Sequence, residues 1–115
     1  MSEALVFRAL ADPARREILD LIRVSGPQRA GDIAARFHTM TRNAVSKHLR
    51  VLREAKLIAQ LESDDGRERV YDLQAEGMEL LREWVARYDA FWADRLSDLK
   101  RLAEAREQNK RDINA

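Results

Sequence analysis

Residues 41–55 place the tightest constraint on what this chain can fold into. Val45, Leu49 and Leu52 recur at i, i+4 and i+7, which is one stripe of an α-helix, and Thr41 stands where an N-cap belongs. The stripe must face a core, so Arg42, Asn43, Ser46, Lys47 and Arg50 turn the other way. A shorter helix is expected just before it, over about 30–37, with Ile33, Ala34 and Phe37 apolar. Only His38, Thr39 and Met40 separate the two. Two short helices joined by a tight turn, the second amphipathic with a basic outer face, form a helix-turn-helix over 30–55.

The charge map singles out the same segment. Residues 33–53 contain Arg36, Arg42, Lys47, Arg50 and Arg53 and not one Asp or Glu, although the whole chain is nearly balanced at a net charge of +1. A local excess of this kind suits a phosphate-facing surface, which makes double-stranded DNA the expected partner. The first turns of such a helix enter the major groove, so Arg42, Asn43, Ser46 and Lys47 are the candidate base readers. Arg50 and Arg53, further along, are candidates for phosphate. His48 lies at the border of the apolar stripe, where a packed or capping role competes with a phosphate contact.

The remaining elements follow from local signals. A helix over about 3–10 carries Leu5, Val6, Ala9 and Leu10 on one stripe. Asp12-Pro13 starts a second, which stops at Ser25-Gly26-Pro27. A strand is expected over 57–61, a turn at Asp65-Gly66, and a return strand over 69–73 with Tyr71 and Leu73 on one face. This hairpin, 57–73, is a wing. Arg67 and Arg69 are candidate DNA contacts on it, opposed by Glu62, Asp64, Asp65 and Glu68. Beyond residue 75 the chain has no Pro and only Gly77 near the start, so one helix, with an interruption allowed, is expected to about 108. Residues 109–115 are expected to fray. The expected fold is mainly α with a small β-hairpin wing, in the order α-α-α-α-β-β-α, as one domain spanning 1–115.

That last helix carries Leu81, Trp84, Val85, Tyr88, Phe91, Trp92, Leu96, Leu99 and Leu102 at spacings of mostly three or four. About 33 helical residues run roughly 50 Å at 1.5 Å each, more than one small winged domain can cover. A symmetric self-pair is therefore expected, with 75–108 and 3–11 as the dimerisation helices and Leu5 and Val6 joining the seam.

Other classes fit poorly. The chain has no cysteine, so disulfides and thiolate metal sites are excluded. No apolar run approaches the roughly 20 residues a membrane span needs, and the first residues lack a signal-peptide pattern, so a cytoplasmic address fits. Ser46 and His48 at i, i+2 diverge on a helix and make no dyad, and no glycine-rich phosphate loop is present, so an enzyme is not expected. No cofactor is implied, and a small-molecule effector is unmarked by any motif. The competing reading is a winged-helix interaction module without specific DNA binding; the acid-free basic span speaks against it.

Three separated blocks resemble the ArsR family of winged-helix repressors. They are Phe7 to Pro13 with Arg15-Arg16-Glu17-Ile18-Leu19, then Ala44 to Ala55, then Gly66-Arg67 with Val70-Tyr71-Asp72-Leu73. The resemblance implies a homodimeric DNA-binding regulator, usually a repressor released by a signal, and places Ser46-Lys47-His48 in its reading helix. Metal-sensing members use cysteines near that helix or His and carboxylates on the terminal helices. This chain has neither pattern, since His38 and His48 both lie in the helix-turn-helix, so it resembles the metal-independent branch. Lys56 stands where the family often has Gly, which implies a strained or differently closed helix end.

Overall fold

The computed structural model describes residues 2–62 and 68–114. The elements are α1 (Glu3–Leu10), α2 (Pro13–Ser25), β1 (Gln28–Arg29), α3 (Ala30–Arg36), α4 (Arg42–Glu54), β2 (Ile58–Leu61), β3 (Val70–Leu73), α5 (Ala75–Ala86) and α6 (Asp89–Asn114). They group into two compact units, Met1–Arg82 and Glu83–Ala115.

The caps of the first unit form as their sequences dictate. Ser2 accepts from the Leu5 amide at 3.4 Å and Asp12 from the Ala14 amide at 2.8 Å, with Pro13 opening α2. Gly26 closes α2 at φ 82°, a conformation costly for a residue with a Cβ. The core takes Val6 and Ala9 from α1, Ile18, Leu19 and Ile22 from α2, and Ile33 from α3. Val45, Leu49 and Leu52 of α4 join it, with Leu57, Ile58 and Tyr71. The stripe that defines α4 is thus fully used in packing.

The wing strands pair antiparallel, Ile58 opposite Leu73 and Leu61 opposite Val70. The expected turn at Asp65-Gly66 lies outside the described residues. A third strand, β1, joins the free edge of β3, with Gln28 opposite Tyr71 and Arg29 opposite Val70. Two residues are too few to show a period-2 pattern, so this strand is invisible in the sequence. Tyr71 is buried, whereas Leu73 on the same face stays 39% exposed.

The end of α4 accounts for Lys56. The Lys56 amide donates to Arg53 O at 3.0 Å and the Leu57 amide to Leu52 O at 3.0 Å, the paired bonds of a Schellman closure. Lys56 therefore sits at φ 59°, the left-handed position that glycine normally takes, as the departure at this position implies. Against this turn packs the first turn of α5, where the Gly77 amide donates to Lys56 O at 2.8 Å.

The C-terminal helix takes the interruption that the sequence allowed and differs from expectation only at its end. The helix is interrupted at Arg87 and Tyr88, whose amides donate three residues back, to Trp84 O at 3.2 Å and Val85 O at 3.0 Å. It then runs to Asn114, past residue 109 where polarity pointed to fraying. Polarity does not break a helix without Pro or Gly, and here i,i+3 and i,i+4 pairs brace it: Arg101 with Asp98, and Gln108 donating to Asp112 at 3.0 Å.

Candidate nucleic-acid interface

α4 begins on the Thr41 hydroxyl, which accepts from the Ala44 amide at 3.1 Å. With Val45, Leu49 and Leu52 inward, the opposite face is open. Arg42, Asn43, Ser46, Lys47, Arg50 and Arg53 are all exposed, on one helix, in the order the sequence placed them. Among the described residues none of the four cations in this set takes part in an ion pair. Their charge is therefore available to an outside anion.

His48 does not join that face. It is half-buried, and its Nδ1 lies 3.3 Å from a guanidinium nitrogen of Arg15. Arginine only donates, so this contact is a hydrogen bond when Nδ1 carries no proton. Arg15 also donates to Ala9 O at 2.7 Å and Arg8 O at 2.9 Å, and it pairs with Asp12 at 3.6 Å. Arg16 donates to Leu10 O at 2.6 Å. These two arginines satisfy the carbonyls left open at the end of α1 and tie that corner to α4 through His48. The legible signal for them was the Asp-Pro helix start, which sets residues 15 and 16 one turn into α2, beside the end of α1.

The titration of Asp12 is shifted. Burial pushes its carboxyl up, but the Ala14 amide, the Arg15 guanidinium and backbone N–H, and His48 outweigh this and hold it below its ordinary value. The contribution is therefore complete above the usual aspartate range and is lost as pH falls through it. Asp12→Ala is expected to cost about 1 kcal/mol at neutral pH through the lost cap. The gap between variant and parent should shrink in acid. Thermal melts at neutral pH and in acid check this; a pH-independent gap contradicts it.

The wing candidates separate. Arg69 is exposed and lines a recess with Arg29, Ala30, Gly31, Asp32 and Glu68, while Arg67 lies outside the described residues. One wing carboxylate, Glu68, is held by Arg29 at 2.9 Å.

The seam candidates also divide. Val6 is fully buried in the core of the first unit, so it has no surface to offer a partner; this corrects its place in the seam. A stripe position on a short helix can serve its own core as readily as a partner, and here the core uses it. Leu5 and Leu81 are partly buried against that core. Trp84 is half-buried and stacks at a tilt on Tyr88, with ring centroids 5.1 Å apart. Val85, Tyr88, Phe91, Trp92, Leu96 and Leu99 are exposed, and no residue of α6 is buried. No described helix is long and apolar enough to cross a membrane.

Comparison with known proteins points the same way. A family model described as a helix-turn-helix domain matches residues 10–60. The chain is 44% identical over 54 residues to the transcriptional repressor SdpR of Bacillus subtilis (strain 168), a match spanning 47% of this chain and 58% of that protein. It is 35% identical over 99 residues to the HTH-type transcriptional regulator Rv2034 of Mycobacterium tuberculosis, covering 86% of each. Among solved structures, an ArsR-like transcriptional regulator from Rhodococcus sp. RHA1 matches with a TM-score of 0.66 at 33% identity, over 89% of this chain and 90% of that one.

Proposed function

As the chain belongs to the ArsR family of winged helix-turn-helix transcriptional regulators, we propose that it is a DNA-binding repressor that reads an inverted-repeat operator with α4. The observation that carries this reading is the open face of α4, which combines cations unpaired among the described residues with Asn43 and Ser46. Arg42 and Lys47 have the chemistry for guanine O6/N7, and Asn43 that for adenine N6/N7. Ser46 serves either, and Arg50 and Arg53 meet phosphate. With its Nδ1 edge turned to Arg15, His48 supports the helix from behind and leaves at most its other edge for the backbone. Arg69 remains a lesser contact, on a wing whose acids repel phosphate.

The repressor acts as a homodimer. The exposed stripe of α6 supports this, because large apolar side chains left in water along a helix call for a cover, and a second copy supplies one. A two-fold pair sets the reading helices one DNA turn, roughly 34 Å, apart. Such a protein is cytoplasmic and has no catalytic task. Repression follows if occupancy blocks polymerase at the promoter. A chain without cysteine, with both histidines inside the helix-turn-helix, responds to something other than a thiolate-bound metal.

The test is on base discrimination. Asn43→Ala and Lys47→Ala are each expected to weaken operator binding by about 1–3 kcal/mol and to relax the preference at one base pair. Competition between operator and scrambled duplexes measures it. Both variants discriminating as well as the parent would overturn the assignment. A parent that cannot tell operator from scrambled duplex would instead favour the interaction module.

A further inference from the structure

Between the end of α4 and the start of the wing lies an open cleft of about 520 Å³, and the charges around it are one-sided. Arg50 and Arg53 enter from α4, Lys56 from the closing turn and Gln60 from β2; Glu54 is the carboxylate among the lining residues. Three cations against one carboxylate leave the cleft net positive. None of the three is in an ion pair among the described residues.

Lys56 is the informative member. Its φ of 59° is disfavoured for any residue with a Cβ, and glycine would relieve it. The chain thus carries a cation at a backbone position that favours none, beside two other cations that pair with no carboxylate among the described residues. The rest of the wing has the opposite sign: Glu62, Asp64, Asp65 and Glu68 surround Arg67 and Arg69 in sequence, and a phosphate backbone is repelled by such a group.

We propose that this cleft holds a backbone phosphate of the DNA duplex, clamped by Arg50, Arg53 and Lys56 with the Gln60 amide as a neutral donor, so that the protein grips DNA at the base of the wing and not at its acidic tip. This rests on the reading of α4 as the DNA-facing helix. The clamp carries no sequence information; it fixes the depth and angle at which α4 enters the groove. The shared chemistry, phosphate oxygens met by guanidinium and ammonium groups, would also suit a small phosphorylated ligand, and the experiment separates the two.

Lys56→Gly in the full chain separates function from fold because the two readouts move in opposite directions. Relief of the left-handed backbone should raise Tm by about 2–5 °C. Loss of the phosphate contact should lower duplex affinity about 3–10-fold and reduce the slope of log affinity against log salt by about one, equally for operator and scrambled duplex. Lys56→Arg should keep the slope. Fluorescence anisotropy with a labelled duplex across a salt series reads both quantities. If the parent binds duplex and Lys56→Gly keeps its affinity and slope, the clamp is overturned while the reading of α4 stands; a parent that binds no duplex overturns both. Inorganic phosphate at constant ionic strength is the probe for the small-ligand source. Saturable phosphate binding that Lys56→Gly abolishes, with the duplex slope unchanged, assigns the cleft to a free anion and overturns the duplex proposal.

Discussion

Gly77→Ala is expected to destabilise the protein by about 2–3 kcal/mol, although alanine is the better helix former by roughly 1 kcal/mol. The sign is set by what the added methyl would meet. A Cβ at position 77 would lie 2.5 Å from Ala55 O, 2.8 Å from Lys56 O and 2.9 Å from a Leu57 methyl. Two of these are backbone oxygens of the turn that closes α4, and that turn is fixed by its own hydrogen bonds to Arg53 and Leu52. Lys56 O also accepts the Gly77 amide, so α5 cannot back away without losing that bond. Neither side can yield by rotating a side chain, and overpacking wins over propensity. Thermal denaturation should show a fall of about 8–12 °C. A variant melting at or above the parent would mean that the close approach of α5 to the α4 turn is wrong.

The second large effect concerns assembly. Leu96 and Leu99 are 63% and 61% exposed in the single chain, so aspartate at both positions costs the chain itself little. In a self-paired seam the same carboxylates would be driven out of water without partners, which opposes association. The double variant Leu96→Asp/Leu99→Asp is therefore expected to sediment as a monomer at micromolar concentration with unchanged helix content. Its affinity for an inverted repeat should fall by about 100-fold or more, because the second half-site is no longer presented at high effective concentration. A variant that stays dimeric, or a monomer that binds the repeat as tightly as the parent, would contradict the proposed seam.

How much was legible depended on whether a feature was local. Asp12-Pro13 and Thr41 named their helix starts because a cap is chosen by its own side chain and the next three residues. The inward stripe of α4 followed from spacing alone, and with it the whole outer face. Lys56 announced an unusual helix end because a position that prefers glycine held something else. What the sequence hid was set by partners far along the chain. β1 exists only because Tyr71 and Val70 offer an edge to Gln28 and Arg29. Val6 looked like a seam residue until the core of its own unit claimed it. His48 was ambiguous until Arg15, distant in sequence, was found against its ring. Gly77 looked like a weakness at a helix start, whereas its missing side chain is what lets two backbone segments meet. The cleft beside Lys56 likewise joins α4 to β2, a meeting that no spacing rule anticipates.

The central claim is that the outer face of α4 is the surface that meets DNA. Backbone amide NMR of the isotopically labelled protein, titrated with an unlabelled duplex at low salt, tests it most directly. The largest shifts should fall on residues 41–53 and on Lys56 to Gln60, with α2 little affected. A duplex that binds while the amides of α4 stay in place, or that leaves the whole spectrum unchanged, would contradict the account.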